Sequence, residues 1–178
     1  MPAPDDSASL LPPGLQSTPL RPYSTVNVNY GPFYDEYHGH PVDDLEKVVA
    51  AIRGQGKSII WLAGDSSLDN KYWFSATSNA VNGYEAVLSP PRMKQDVSYW
   101  LNVFAMERTG HGEDSPPLAC VNTAIEATSL NDRACTKLLA QDELIRRNIQ
   151  PQDYLIISVG GNDVALQPLL CTVCTQGC

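Results

Sequence analysis

Ser66 follows Gly64 and Asp65 at the end of Ser58-Ile59-Ile60-Trp61-Leu62-Ala63, a run of β-branched and apolar residues. A short run that is apolar on both faces and closed by a turn signal predicts a buried parallel strand. Ligands of open α/β sheets bind beyond the carboxyl ends of the strands. Asp65 and Ser66 are therefore expected at such a rim. Residues 67–74 read as the start of a helix, so Ser66 would lie near a helix N-terminus. There, free backbone N–H groups and the helix dipole favour negative charge, which suits a developing oxyanion. Residues 154–159 repeat the buried-strand pattern and end in Gly160-Gly161-Asn162-Asp163. Two such strands in one sheet would bring Ser66 and Asn162 to one rim.

These residues carry a family resemblance. Gly64-Asp65-Ser66-Ser67 resembles the first sequence block of the SGNH hydrolases, the GDSL esterase/lipase family, with Ser67 at the usual leucine and Leu68 next. Gly160-Gly161-Asn162-Asp163 matches the family's Gly-x-Asn-Asp block. Between them, Val121-Asn122-Thr123-Ala124-Ile125-Glu126-Ala127-Thr128 resembles the block that holds an oxyanion-hole glycine, with Ala127 at the glycine position. The blocks fall in the family's order and cover roughly residues 57–170.

The resemblance implies a flavodoxin-like three-layer α/β/α sandwich around a parallel sheet, and hydrolysis of esters. It implies Ser66 as nucleophile, with an oxyanion hole made by the Ser66 N–H, the Ala127 N–H and the Asn162 side-chain amide. Gly64, Asp65, Gly160 and Asp163 are expected to be structural, the two acids bonding to loop amides. No cofactor is implied. The expected partner is a small-molecule ester: an acyl ester, an acetylated carbohydrate or a thioester.

The base is the gap in this pattern. The family places an Asp-x-x-His block after a further strand, whereas this chain reaches Cys178 soon after Asp163. Its histidines are His38, His40 and His111, and none follows Asn162. His111 falls in a loop position that the family does not use. A serine without a base is a poor nucleophile. The expectation is a hydrolase domain with its C-terminal part missing, truncated before its histidine. The alternative is a catalytically inactive binding or interaction domain on the same scaffold. A nucleotide-binding α/β domain is weaker, because neither G-x-G-x-x-G nor a Walker loop is present.

Composition bounds the rest. A chain of 178 residues fits one domain with a real core. A net charge of -8 and a pI near 4.7 disfavour nucleic acid and anionic membranes as partners. No apolar run is long enough for a membrane span. Met1-Pro2-Ala3-Pro4-Asp5-Asp6 lacks the basic and apolar regions of a secretory signal, so the cytoplasm is the default location. The five cysteines read as reduced thiols. Cys171, Cys174 and Cys178 form a C-x2-C-x3-C array with no second pair and no histidine beside it, and read as ordinary cysteines. His38-Gly39-His40 reads as a solvated turn, not a metal site.

Prolines and serines mark residues 1–41 as an arm, largely disordered at its start, whose later aromatic residues lie on the domain surface. Residues 42–178 form the partial hydrolase domain. Residues 42–53 predict a helix with Leu45, Val48, Val49 and Ile52 on its apolar face. Residues 92–108 predict a second, buried along Val97, Trp100, Leu101 and Phe104. Residues 118–123 predict a strand, and residues 132–148 a helix carrying Leu138, Leu139, Leu144 and Ile145. Tyr72, Trp73 and Phe74 read as core or pocket wall. Only three strands can be found where the family sheet has about five. An exposed apolar sheet edge is expected, and with it weak stability or self-association.

Overall fold

In a computed structural model the chain is described over residues 27–109, 116–134 and 138–165. The start of the proline-rich arm, His111 and the C-terminal cysteine array lie outside the described residues. The elements are β1 (Val28–Asn29), α1 (Tyr30–Asp35), α2 (Val42–Gly54), β2 (Ser58–Gly64), β3 (Thr77–Asn79), β4 (Leu88–Ser89), β5 (Arg92–Lys94), α3 (Val97–Thr109), β6 (Leu118–Asn122), α4 (Ala140–Asn148), β7 (Tyr154–Ser158) and α5 (Gly161–Ala165). This is a mixed α/β chain. Its main sheet has three parallel strands in the order β6-β2-β7. Two small pairs accompany it, β1 with β4 in parallel and β3 with β5 antiparallel. No helix among the described residues is long and apolar enough to cross a membrane.

The central strand explains the architecture. Ile59, Trp61 and Ala63 of β2 pack with Leu45, Val48, Val49 and Ile52 of α2 and with Leu144 and Ile145 of α4. Leu62, with Ile60 beside it, faces the other way, toward Leu68, Cys120, Ala124 and the α3 residues Val97 and Leu101. A strand buried on both faces needs this continuous apolar run, where a half-exposed one would alternate. The chain passes from β2 through α3 to β6 on one side, then through α4 to β7 on the other. Crossovers of one hand that run in opposite directions along a sheet must lie on opposite faces. That is where α3 and α4 pack.

Helix α2 has the face its spacing predicts, with Leu45, Val48, Val49 and Ile52 buried. Asp43 and Asp44 sit in its first turn, where they complement the helix dipole. Helix α3 differs from expectation. It starts at Val97, not near Arg92, because Asp96 caps it: Oδ1 accepts the Tyr99 N–H at 2.8 Å. Arg92–Lys94 pairs with Thr77–Asn79 instead. Trp100 and Phe104 are exposed, while Ser98, Asn102 and Ala105 are buried.

The reason for this inverted burial is a backbone requirement. Asn102 Oδ1 accepts the Cys120 N–H at 2.9 Å, and its Nδ2 donates to the Cys120 carbonyl at 3.1 Å. One amide side chain thus completes the outer edge of β6, with Tyr84 Oη also donating to the Cys120 carbonyl at 2.9 Å. A buried strand edge left unpaired would be costly.

Three other expectations are corrected. Residues 132–148 do not form one helix: a short 3-10 turn spans Asn131–Arg133, α4 begins at Ala140, and Leu138 is exposed. Phe33 and Tyr34, expected on the surface, are buried in the main core. Strand β7 has the buried-strand sequence, yet Tyr154, Leu155, Ile156 and Ile157 are all exposed. It pairs with β2 on one side only, and no strand among the described residues covers its other edge.

Candidate functional site

The strand order places the site. The first strand of the main sheet, β2, lies between the second and third in sequence, β6 and β7, so the chain reverses direction along the sheet at β2. Crevices in open parallel sheets fall at such a switch point, outside the carboxyl ends of the strands. Here those ends belong to β2, which leads into Asp65 and Ser66, and β7, which leads into Gly160, Gly161 and Asn162.

Gly64 closes the gap between these strands. A Cβ at Gly64 would stand 1.8 Å from the Ser158 carbonyl oxygen, so no other residue fits. Its own carbonyl collects three donors from the loop after β6: the Ile125 N–H at 2.9 Å, Arg133 Nη2 at 3.0 Å and Thr128 Oγ1 at 3.3 Å. Asp65 is buried. Its N–H donates to the Ser158 carbonyl at 3.0 Å, and its Oδ1 accepts the Ser67 N–H at 2.9 Å. Ser67 bonds Ser158 Oγ at 2.7 Å, while Leu68 packs in the apolar cluster with Leu62 and Cys120.

Residues 67–74 do not form the expected α-helix. The Leu68 and Asp69 N–H groups bond the Asp65 carbonyl, giving one turn. The segment then stops at Asp69, whose side chain is engaged by other loops. Its Oδ2 accepts the Gly39 N–H at 2.8 Å and the Glu126 N–H at 2.9 Å, and its Oδ1 binds Lys71 Nζ at 2.8 Å. A 3-10 turn at Lys71–Trp73 follows. Tyr72, Trp73 and Phe74 are exposed and are not core.

Ser66 is half-buried at the tip of this turn. Among the described residues no hydrogen bond engages its hydroxyl. Ala127, exposed in the loop after β6, adopts φ +60°, the left-handed region that glycine enters without penalty. No hydrogen bond among the described residues engages its N–H. Asn162, at the first turn of α5, donates through Nδ2 to the Thr128 carbonyl at 2.8 Å, which ties the loop after β7 to the loop after β6. Its amide keeps a second N–H. Asp163 is buried and accepts the Leu130 N–H at 2.8 Å. Gly160 has φ +119° and turns the chain from β7 into α5. A Cβ on Gly161 would lie 3.7 Å from Asp65 Oδ2, so the two rim loops touch. Ser66 after β2, Ala127 after β6 and Asn162 in the first turn of α5 therefore lie at one end of three adjacent strands.

Ala127 gives a direct test of this backbone. An L-residue with a Cβ pays roughly 1–2 kcal/mol in the left-handed region, and glycine recovers most of it less its entropy cost. Ala127→Gly is expected to raise stability by roughly 0.5–1 kcal/mol. A urea midpoint unchanged or lowered would contradict the left-handed geometry.

The described histidines serve elsewhere. His40, read as part of a solvated turn, is buried. It stacks on Phe33 at 3.9 Å between ring centroids and bonds the Phe33 carbonyl through Nδ1 at 2.6 Å. Burial, reinforced by the charge of Lys71, pulls its pKa down to about 3. His38 is exposed, with Nδ1 3.3 Å from the Glu126 carbonyl oxygen. The two rings therefore do not form a metal pair, and no larger metal-ligand cluster occurs among the described residues. His111 lies outside the described residues.

Sequence reading missed Arg133, which binds the Gly64 carbonyl, Thr128 Oγ1 at 2.9 Å and Asp142 at 2.9 Å. It also missed Asp69, Lys71 and Glu126, all buried beside the rim. Buried charges at non-periodic loop positions were the available signal, but only the fold brings them together. No family model, curated protein or solved structure matches this chain.

Proposed function

We propose that this rim is the acyl-binding end of an SGNH-type serine ester hydrolase. In this reading, Ser66 Oγ attacks the ester carbonyl and gives its proton to a base that none of the described residues supplies; the ester's alcohol leaves with that proton, and water then cleaves the acyl-serine. The oxyanion is received by the N–H groups of Ser66 and Ala127 and by the free N–H of the Asn162 amide. The observation that carries the reading is that Ser66 after β2, Ala127 after β6 and Asn162 in the first turn of α5 lie at one end of three adjacent strands, with Asn162 bonded to the Thr128 carbonyl beside Ala127. The left-handed backbone of Ala127 adds to it, since a family glycine would adopt that conformation freely. The strand order, second-first-third, is that of the start of a flavodoxin-like sheet, and helices on both faces agree with an α/β/α sandwich. Small acyl esters and acetylated carbohydrates are the substrate class.

A second reading has its own observation. No imidazole among the described residues bonds Ser66, and one N–H of Asn162 is already committed to Thr128. A silent binding domain would keep this scaffold without turnover. Hydrolysis of p-nitrophenyl acetate separates the two. The hydrolase reading expects turnover that is lost in Ser66→Ala. Equal background rates in both proteins would favour the binding domain.

A further inference from the structure

The turn after Ser66 carries Tyr72 and Trp73 to the surface, where Tyr37 from the loop between α1 and α2 joins them. Tyr72 meets Tyr37 edge-on at 5.0 Å and Trp73 edge-on at 5.4 Å, at 89° and 88°. Rings set at right angles wall a site instead of stacking into a layer. All three are open to solvent, at 36% for Tyr37, 50% for Tyr72 and 67% for Trp73.

A buried carboxylate sits beneath them. Glu126 is 3% exposed, and its Oε1 accepts the Trp73 Nε1–H at 2.7 Å. Its Oε2 is buried with no hydrogen-bond partner among the described residues. The charge of Glu126, with a side-chain hydrogen bond to the phenol, pushes the Tyr37 pKa up. No salt bridge among the described residues reaches Glu126, and Lys71 is paired with Asp69 at 2.8 Å, both side chains fully buried. The exposed His38 ring bonds the Glu126 main chain, not its carboxylate. Three aromatic rings and a buried carboxylate with one unpartnered oxygen thus share the same surface.

We propose that Tyr37, Tyr72, Trp73 and Glu126 form a binding site for a quaternary ammonium group. Aromatic faces attract such cations through the ring quadrupole. A carboxylate screened from water strengthens the field over the rings. A quaternary ammonium has no N–H to satisfy, so it loses nothing by failing to reach the buried Oε2. A primary ammonium would lose hydration without a direct acceptor. The site does not depend on ester hydrolysis at Ser66, and its test needs no turnover.

The test is calorimetric titration of the full chain with choline, and with its neutral isostere 3,3-dimethylbutan-1-ol at matched ionic strength. Choline is expected to bind at least about threefold more tightly than the isostere, the factor given by a single exposed cation–π contact. Glu126→Gln keeps an acceptor for Trp73 but removes the charge, and should weaken choline severalfold while leaving the isostere unchanged. Tyr72→Ala, at an exposed position, should weaken choline in a chain whose circular dichroism is unaltered. Equal binding of choline and isostere overturns the proposal. So does choline affinity indifferent to both variants, or no choline binding at about 50 mM, well above the weakest useful affinity.

Discussion

Replacing Asp153 by alanine is expected to remove about 3–5 kcal/mol of stability, the usual result of breaking a buried, hydrogen-bonded ion pair. Asp153 has a fully buried side chain. Its Oδ1 accepts Arg53 Nη1 and the Ile59 N–H, both at 2.8 Å. Its Oδ2 accepts the Gln150 N–H at 2.9 Å, Trp61 Nε1 at 3.1 Å and Arg53 Nη2. Arg53 in turn donates to the Lys57 and Asn148 carbonyls at 3.2 Å and 3.3 Å. One carboxylate therefore holds the end of α2, the start of β2, the end of α4 and the approach to β7.

Alanine would strand the Arg53 guanidinium and leave the buried Trp61 N–H without its acceptor, and each orphaned group carries its own desolvation cost. Set against a total of about 5–15 kcal/mol for an ordinary domain, the loss could unfold the chain. Urea unfolding would measure it, and a loss below about 1 kcal/mol would refute the account, since that is the size of an exposed pair.

The same carboxylate sets a pH window. Burial alone would raise its pKa, but the hydrogen bonds from Arg53, Ile59, Trp61 and Gln150 outweigh burial and hold it at about 2. A folded pKa below the unfolded value means that the stabilisation is complete above the unfolded pKa. It is lost as pH falls through the folded pKa. The gap in stability between the native chain and Asp153→Ala should therefore be full above about pH 4 and shrink between about pH 4 and 2.

The second large effect lies at Asp69. Asp69→Ala should cost about 3–5 kcal/mol, because it unbinds two loops and strands a fully buried Lys71. The Gly39 and Glu126 N–H groups would both lose their acceptor. Lys71→Met should cost less, since Asp69 keeps both backbone donors. The double variant Asp69→Asn with Lys71→Met removes both charges and keeps an acceptor oxygen. It should be more stable than Asp69→Ala, because neutral groups of similar size replace buried ion pairs at little cost. A double-mutant cycle on these positions should show coupling above about 1 kcal/mol, as expected of contacting residues. Strict additivity would show that the pair is not coupled.

What could be read from the sequence depended on local periodicity. Helix α2 and its buried face follow from a 3.6-residue spacing, and β2 from an unbroken apolar run ending at Gly64. The placement of Ser66 and Asn162 at strand ends followed from the same patterns. Helix α3 was misread, because apolarity pointed to Trp100 and Phe104 while the β6 edge required Asn102. Residues 67–74 were misread because the bonds that break the helix come from Gly39 and Glu126, far away in the chain. The Arg53–Asp153 pair joins positions a hundred residues apart, and no local pattern announces it. Strand β7 shows the converse. Its sequence predicts burial on both faces, yet its neighbours among the described residues cover only one edge.

The central claim is the proposal that the rim of this sheet receives the oxyanion formed when Ser66 meets an acyl-like electrophile. The most direct measurement is mass-spectrometric mapping of the full chain after treatment with a fluorophosphonate, beside Ser66→Ala and Asn162→Ala. The account predicts one adduct per chain on the peptide containing Ser66. The adduct should be absent in Ser66→Ala and form on the order of 10²-fold more slowly in Asn162→Ala, the usual effect of losing one oxyanion donor. No adduct, or an adduct that persists in Ser66→Ala, would contradict it.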